Sequence, residues 1–155
     1  MKKAFLFSAL TGLRWSDVKG LSWENVRNSE KDGWSIHFTQ KKTNKSECLP
    51  VSDQAIRFLG NKDQGTDKIF SNLKYHTWMN TQLQNWVRDA GINKKITFHC
   101  ARHSFATLQL SLDTDIYTVS KLLGHRNLKT TQIYANVIDK KKVDAAKRIP
   151  SLINE

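Results

Sequence analysis

His99, Arg102, His103, His125 and Tyr134 fall at spacings that can gather them on one phosphate. His99 and Arg102 stand three apart, so on a helix they share a face, with His103 close by. At a helix N-terminus such side chains sit among unpaired N–H groups, a ready place for an anion. Arg102 offers a planar fork of donors matched to two phosphate oxygens and keeps its charge at any working pH. His99 titrates near neutrality and can move a proton. Gly124 and His125 mark a helix end where the chain can turn back. Nine residues on one straight helix would set His125 and Tyr134 on opposite sides. The break at Gly124 and the turn at Arg126 and Asn127 let both face one point.

Plainer readings exist for each piece. A helix that merely begins with polar residues would look the same around His99. A single Tyr on an apolar helix is usually a core or rim residue. His99, Cys100 and His103 present imidazoles at i and i+4 that can share a zinc ion. No further acidic or cysteine ligand stands near them in the sequence.

The composition narrows the partners. Against 14 Asp and Glu the chain sets 25 Lys and Arg, a net charge of +11 over 155 residues. A basic surface of that size attracts polyanions, nucleic acid first and anionic membrane second. A 39% hydrophobic fraction fits a single soluble domain with a real core. No apolar run approaches the ~18 residues of a membrane span. The start of the chain has a faint signal-peptide look, but its apolar part breaks at Gly12 and no small-residue cleavage site follows. Cys48 and Cys100 make neither a disulfide framework nor a zinc pattern, which points to a reducing cytoplasm.

The elements that must position these residues can be read in order. Residues 2–13 are apolar on most faces, predicting a buried helix ended by Gly12. Opening directly on a core helix suggests that helices preceding it are missing. Ser16 can cap a short helix after Arg14, and Ser22 a second one through residues 23–26. Residues 34–40 alternate as a half-buried strand, Lys41 to Lys45 make a basic turn, and residues 47–51 return. Ser52 or Asp53 caps a helix to about Leu59, and residues 68–70 form a short extended piece. Residues 75–90 read as an amphipathic helix with Trp78, Leu83, Trp86 and Val87 near one face, ended by Gly91. Thr97 can cap the helix that carries His99 to about Leu112. Another helix runs from Ile116 to Leu123, and two more cover residues 130–137 and 139–148. The Lys140 to Lys142 run reads as a solvated helix face. The expected fold is mainly α with a small antiparallel β-hairpin or sheet, in one domain.

Taken jointly the pieces become specific. Thr11-Gly-Leu-Arg14 with Asp17, Lys42 on a basic hairpin eight residues before Pro50, His99-x-x-Arg102-His103, Leu123-Gly-His125 and Tyr134 follow in that order. This resembles the catalytic domain of the tyrosine recombinase family, the phage-integrase type of site-specific recombinase. The resemblance covers nearly the whole chain. It implies the family's DNA breaking-rejoining fold and a cut made without metal, ATP or other cofactor. A 3′-phosphotyrosyl link forms, and the released 5′-hydroxyl later attacks a partner's link.

By the same resemblance the catalytic residues are Arg14, Lys42, His99, Arg102, His125 and the nucleophile Tyr134, with Asp17 and His103 in support. Arg14 and Arg102 would clamp the non-bridging oxygens and His125 add a hydrogen bond. Lys42 would protonate the departing 5′-oxygen, and His99 would assist proton transfer at the tyrosine. Lys41 and Lys45 compete with Lys42 for its role, and only the spacing to Pro50 decides. Cys100 and Ala101 depart from the Asp-Leu often found between the family's His and Arg. The implied partners are double-stranded DNA and other protomers, in a tetrameric synapse when full length, with no membrane. Set against the family, the expectation is that the N-terminal core-binding domain and the first catalytic-domain helices are missing from this chain. Two rivals follow: a DNA-binding fragment whose active site does not assemble, and a type IB topoisomerase-like strand transferase. The apolar tail after Arg148 is a candidate for swapping onto a neighbouring protomer.

Overall fold

Gly12 makes the first break in the chain. In the computed structural model, helix α1 (Lys2–Thr11) stops where Gly12 takes φ 72°, and the Gly12 N–H donates to the Ser8 carbonyl. A left-handed φ costs a glycine little because it has no Cβ. The structure describes residues 1–42, 44–62, 65–73, 77–134, 146–148 and 150. The chain divides into two units, at residues 1–105 and from residue 106 on.

In the first unit, the Ser8 and Thr11 hydroxyls bind one carbonyl just past the end of α1 and one within it. The Ser8 hydroxyl donates to the Leu13 carbonyl at 2.7 Å and the Thr11 hydroxyl to the Phe7 carbonyl at 2.8 Å. Both side chains are buried, so these bonds spare them the cost of desolvation without a partner. Helix α2 (Trp15–Gly20) follows at once. Its N-cap is Arg14, in extended conformation, and Ser16 lies inside the first turn rather than capping it. Ser22 does start a short 3-10 helix, Trp23–Asn25, where its N–H donates to Asn25 Oδ1 at 2.8 Å.

Three antiparallel strands come next, β1 (Val26–Ser29), β2 (Gly33–Thr39) and β3 (Ser46–Pro50), with β2 in the centre. The hairpin read from the sequence is β2–β3. The sequence reading missed β1 because Val26 is its only apolar residue and its last three residues are exposed. Ile36 stands opposite Val26 on one side and Leu49 on the other, and it is fully buried.

Ser52 caps α3 (Asp53–Arg57), accepting from the Ala55 N–H at 3.3 Å. Lys68 forms a single bridge with Ser22 in place of a strand. Helix α4 (Thr77–Asp89) buries Met79, Leu83 and Val87, spaced by four. Trp78, expected on that face, is 68% exposed. It sits about 100° around the helix from Met79, which takes the inward position. Helix α5 (Phe98–Ser111) begins in this unit. Its Phe98 ring meets Trp15 at 4.8 Å and Phe5 at 6.0 Å, both edge to face. Such aromatic pairs add directional packing to the burial of area, and they anchor the turn of α5 that carries His99 and Arg102.

The second unit holds the last turns of α5 and helix α6 (Ile116–Leu122). Asp115 caps α6, accepting from the Thr118 N–H at 2.9 Å. Hydrogen bonding to the Thr118 side chain first, and to its N–H second, holds the Asp115 carboxyl below its ordinary value. Gly124, at φ 59°, closes α6. Two 3-10 turns then follow, Leu128–Thr130 and Gln132–Tyr134, where the sequence reading expected the start of an α-helix. Thr130 and Thr131 are β-branched and weak helix formers. The rest of that expected helix, the Lys140 to Lys142 run and most of the helix and tail expected beyond it lie outside the described residues. Among the described residues, no helix is long and apolar enough to cross a membrane.

Candidate active site

Arg14 leaves α1's end pointing back at the sheet. Its Nη1 donates to Gln40 Oε1 at 3.3 Å and lies 3.9 Å from Asp17 Oδ2. Asp17 is 4% exposed, and its other oxygen accepts the Lys41 N–H at 3.1 Å. One carboxylate therefore ties Arg14 to the start of the basic turn. Gln40, also 4% exposed, closes the same turn through its backbone. Its N–H donates to the Lys45 carbonyl, and its carbonyl accepts from the Asn44 N–H.

The three lysines of the turn go different ways. The stem of Lys41 lies against Gly20, where an added Cβ would meet Lys41 Cε at 3.4 Å. Lys45 Nζ pairs with Glu47 at 3.5 Å. Lys42 is among the cations that act on His99.

Arg102 is 4% exposed, and its Nη1 donates to the Gly12 carbonyl at 2.7 Å. The break that ends α1 thus also aims this arginine. A buried guanidinium needs such partners, because an unpaired buried charge is costly. On the same helix, the rings of His99 and His103 meet edge to face at 4.6 Å. Partial desolvation holds the His99 pKa below its ordinary value, and His103, Arg102, Arg14 and Lys42 push the same way. Both effects bias His99 toward its neutral form, the form that can accept a proton. Ala101 is fully buried, and Cys100 turns its sulfur to Thr97, 3.6 Å from the hydroxyl.

In the second unit, His125 Nδ1 lies 2.8 Å from the hydroxyl of Thr131. The His125 N–H donates to the Ser120 carbonyl, and the Tyr134 N–H to the Thr131 carbonyl. Thr131 is fully buried, and Tyr134 is 7% exposed. One threonine thus connects the ring of His125 to the backbone of Tyr134.

Gln40 and Thr131 escaped the sequence reading. Gln40 left a signal: period-two alternation sets it on the face of Ile36, so a polar residue was bound for the interior. Thr131 left none beyond its neighbour Thr130.

Comparison with known proteins gives the family and the fold. The chain matches the phage integrase family over residues 1–141. Tyrosine recombinase XerD of Lacticaseibacillus casei is 32% identical over 143 residues, covering 82% of this chain and 47% of that protein. The catalytic domain of bacteriophage HP1 integrase superposes with a TM-score of 0.65 at 25% identity, covering 96% of this chain and 81% of that one. XerH site-specific recombinase, bound to its palindromic difH substrate after cleavage, has a similar fold. Its TM-score is 0.73 at 23% identity, with 96% of this chain and 45% of that one covered. The chain spans about half the length of the curated relatives it matches. With these matches and this fold, the chain belongs to the phage integrase family, the tyrosine recombinases.

Proposed function

We propose that this chain cuts and rejoins double-stranded DNA through a covalent 3′-phosphotyrosyl intermediate at Tyr134, as part of a site-specific recombinase. The single observation that carries the reading is a pair of anchored arginines in the first unit: Arg102 bound to the Gly12 carbonyl, and Arg14 held by Gln40 beside Asp17, whose carboxylate also accepts the Lys41 N–H of the basic turn. The reaction requires the His125 and Tyr134 segment to meet the same phosphate.

The chemistry follows from the residue types. The Tyr134 phenol oxygen attacks phosphorus and forms a P–O bond, while the bond to the 5′-oxygen breaks. The proton leaves the phenol with help from neutral His99, and Lys42 gives one to the departing oxygen. Negative charge grows on the non-bridging oxygens at the five-coordinate stage. Arg14 and Arg102, held by Gln40, Asp17 and the Gly12 carbonyl, meet it as preorganised donors. Losing one such donor typically costs ~2.7–4 kcal/mol of barrier. The phosphotyrosyl bond keeps the phosphodiester energy, so rejoining by the 5′-hydroxyl needs no cofactor.

A nicked duplex that loses the downstream strand on cleavage traps the intermediate. Incubated in EDTA, wild-type protein should form a denaturant-resistant adduct, and Tyr134→Phe should form none. An adduct that persists in Tyr134→Phe, or that needs a divalent metal, contradicts the reading. Binding of the duplex with no adduct favours a DNA-binding module instead.

A further inference from the structure

We infer that Thr131 is a positioning residue that fixes the neutral tautomer of His125, holding the ring proton on Nε2. The observation is the 2.8 Å contact between Thr131 Oγ1 and His125 Nδ1, at a threonine with no exposed surface. A hydroxyl is both donor and acceptor, and a buried O–H group needs an acceptor. Among the described residues, the hydrogen-bond partner of the Thr131 hydroxyl is His125 Nδ1 alone. The hydroxyl therefore donates, Nδ1 accepts through its lone pair, and the ring proton belongs on Nε2. Which ring nitrogen carries the proton is set by the bond the other one makes.

The backbone prevents the threonine from swinging away. Its N–H donates to the Leu128 carbonyl at 2.8 Å, and its carbonyl receives the Tyr134 N–H at 3.1 Å. The His125 N–H is itself fixed on Ser120. Ring and hydroxyl are thus anchored at both ends. The consequence rests on the function proposed above. His125 donates to a phosphate oxygen from Nε2 while neutral, without first taking up a proton. Without the hydroxyl, Nδ1 loses this donor and the Nε2–H tautomer loses the preference that the bond gives it.

Two measurements test this, and only one needs DNA. Two-bond proton–nitrogen correlation spectra of 15N-labelled protein, at pH about 8 where imidazole is neutral, report the tautomer of each histidine. A His125→Gln sample identifies the His125 signals. Wild-type His125 should show Nε2–H with a bare Nδ1, and Thr131→Val, of equal shape, should show a mixture. An Nδ1–H signal in the wild type, or a Thr131→Val ring that keeps the wild-type tautomer, overturns the inference. In single-turnover cleavage of the nicked duplex, Thr131→Val should be about tenfold slower with unchanged DNA affinity, and Thr131→Ser should recover most of the rate. Thr131→Val should add no further loss in a His125→Ala background, because the two act as one unit. Cleavage by Thr131→Val at the wild-type rate also overturns the inference. If wild-type protein forms no adduct, the proposed function fails, and the tautomer spectra still decide the role of Thr131.

Discussion

Two side chains that make no catalytic claim of their own hold Arg14 in place. Gln40 accepts from its guanidinium, and Asp17 sits beside it while gripping the turn of Lys42. Gln40→Met keeps the volume and removes the acceptor. A hydrogen bond to a charged group is worth about 1.5 kcal/mol at its weak end, which fits the 3.3 Å length. Single-turnover cleavage should therefore slow roughly tenfold with DNA affinity retained, and Gln40→Glu should retain most of the rate. Equal loss in both variants would point to packing alone. His99 supplies a second residue-scale prediction. Its folded pKa lies below the ordinary 6.5, so the unfolded chain binds the proton more tightly. Its contribution to stability is full above that value and declines as pH falls through it toward the lowered folded pKa. The melting temperature of wild type should fall over that window, and His99→Gln should flatten the decline. An identical pH profile in both proteins would contradict the lowered His99 pKa, which partial desolvation and then the neighbouring charges produce.

Elements translate those residues into position. Gly12 ends α1, aims its carbonyl at Arg102 and delivers Arg14 to the start of α2. Gly12→Ala should cost about 1–2 kcal/mol for the left-handed backbone, visible in urea unfolding, and should slow cleavage beyond that loss. A fully active, equally stable Gly12→Ala protein would show that α1's end has no such role. Much at this scale was legible in the sequence. The α1 stop, the β2–β3 hairpin, the Ser52 and Asp115 regions and the α6 stop at Gly124 all carry local chemistry that a single segment reveals. What escaped depends on tertiary partners. Strand β1 has one apolar residue and exists because β2 offers it a ladder. Trp78 matched an apolar face by composition, but Met79 won the inward position by its phase with Leu83 and Val87. The hydrogen bonds of Gln40 and Thr131 join residues 26 and six apart, across turns that a pattern of polarity does not describe.

At the scale of the whole molecule, charge leads. A net +11 chain with lysines on an exposed turn should bind DNA mainly through its phosphates. For about six phosphate contacts, affinity should drop roughly a thousandfold between ~50 and ~200 mM salt. Tight, salt-resistant binding by this chain would mean that base contacts, not charge, dominate. Under the proposed function, a DNA phosphodiester is the guest for Arg14, Arg102, Lys42 and His99. The account stands or falls on where the covalent bond forms. Trypsin digestion of the trapped adduct, followed by nuclease trimming and mass spectrometry, reads that directly. The nucleotide mass should sit on the peptide of residues 130–140, attached at Tyr134 through a 3′-phosphate. A modified peptide from any other part of the chain, or a 5′-phosphate linkage, would contradict the mechanism.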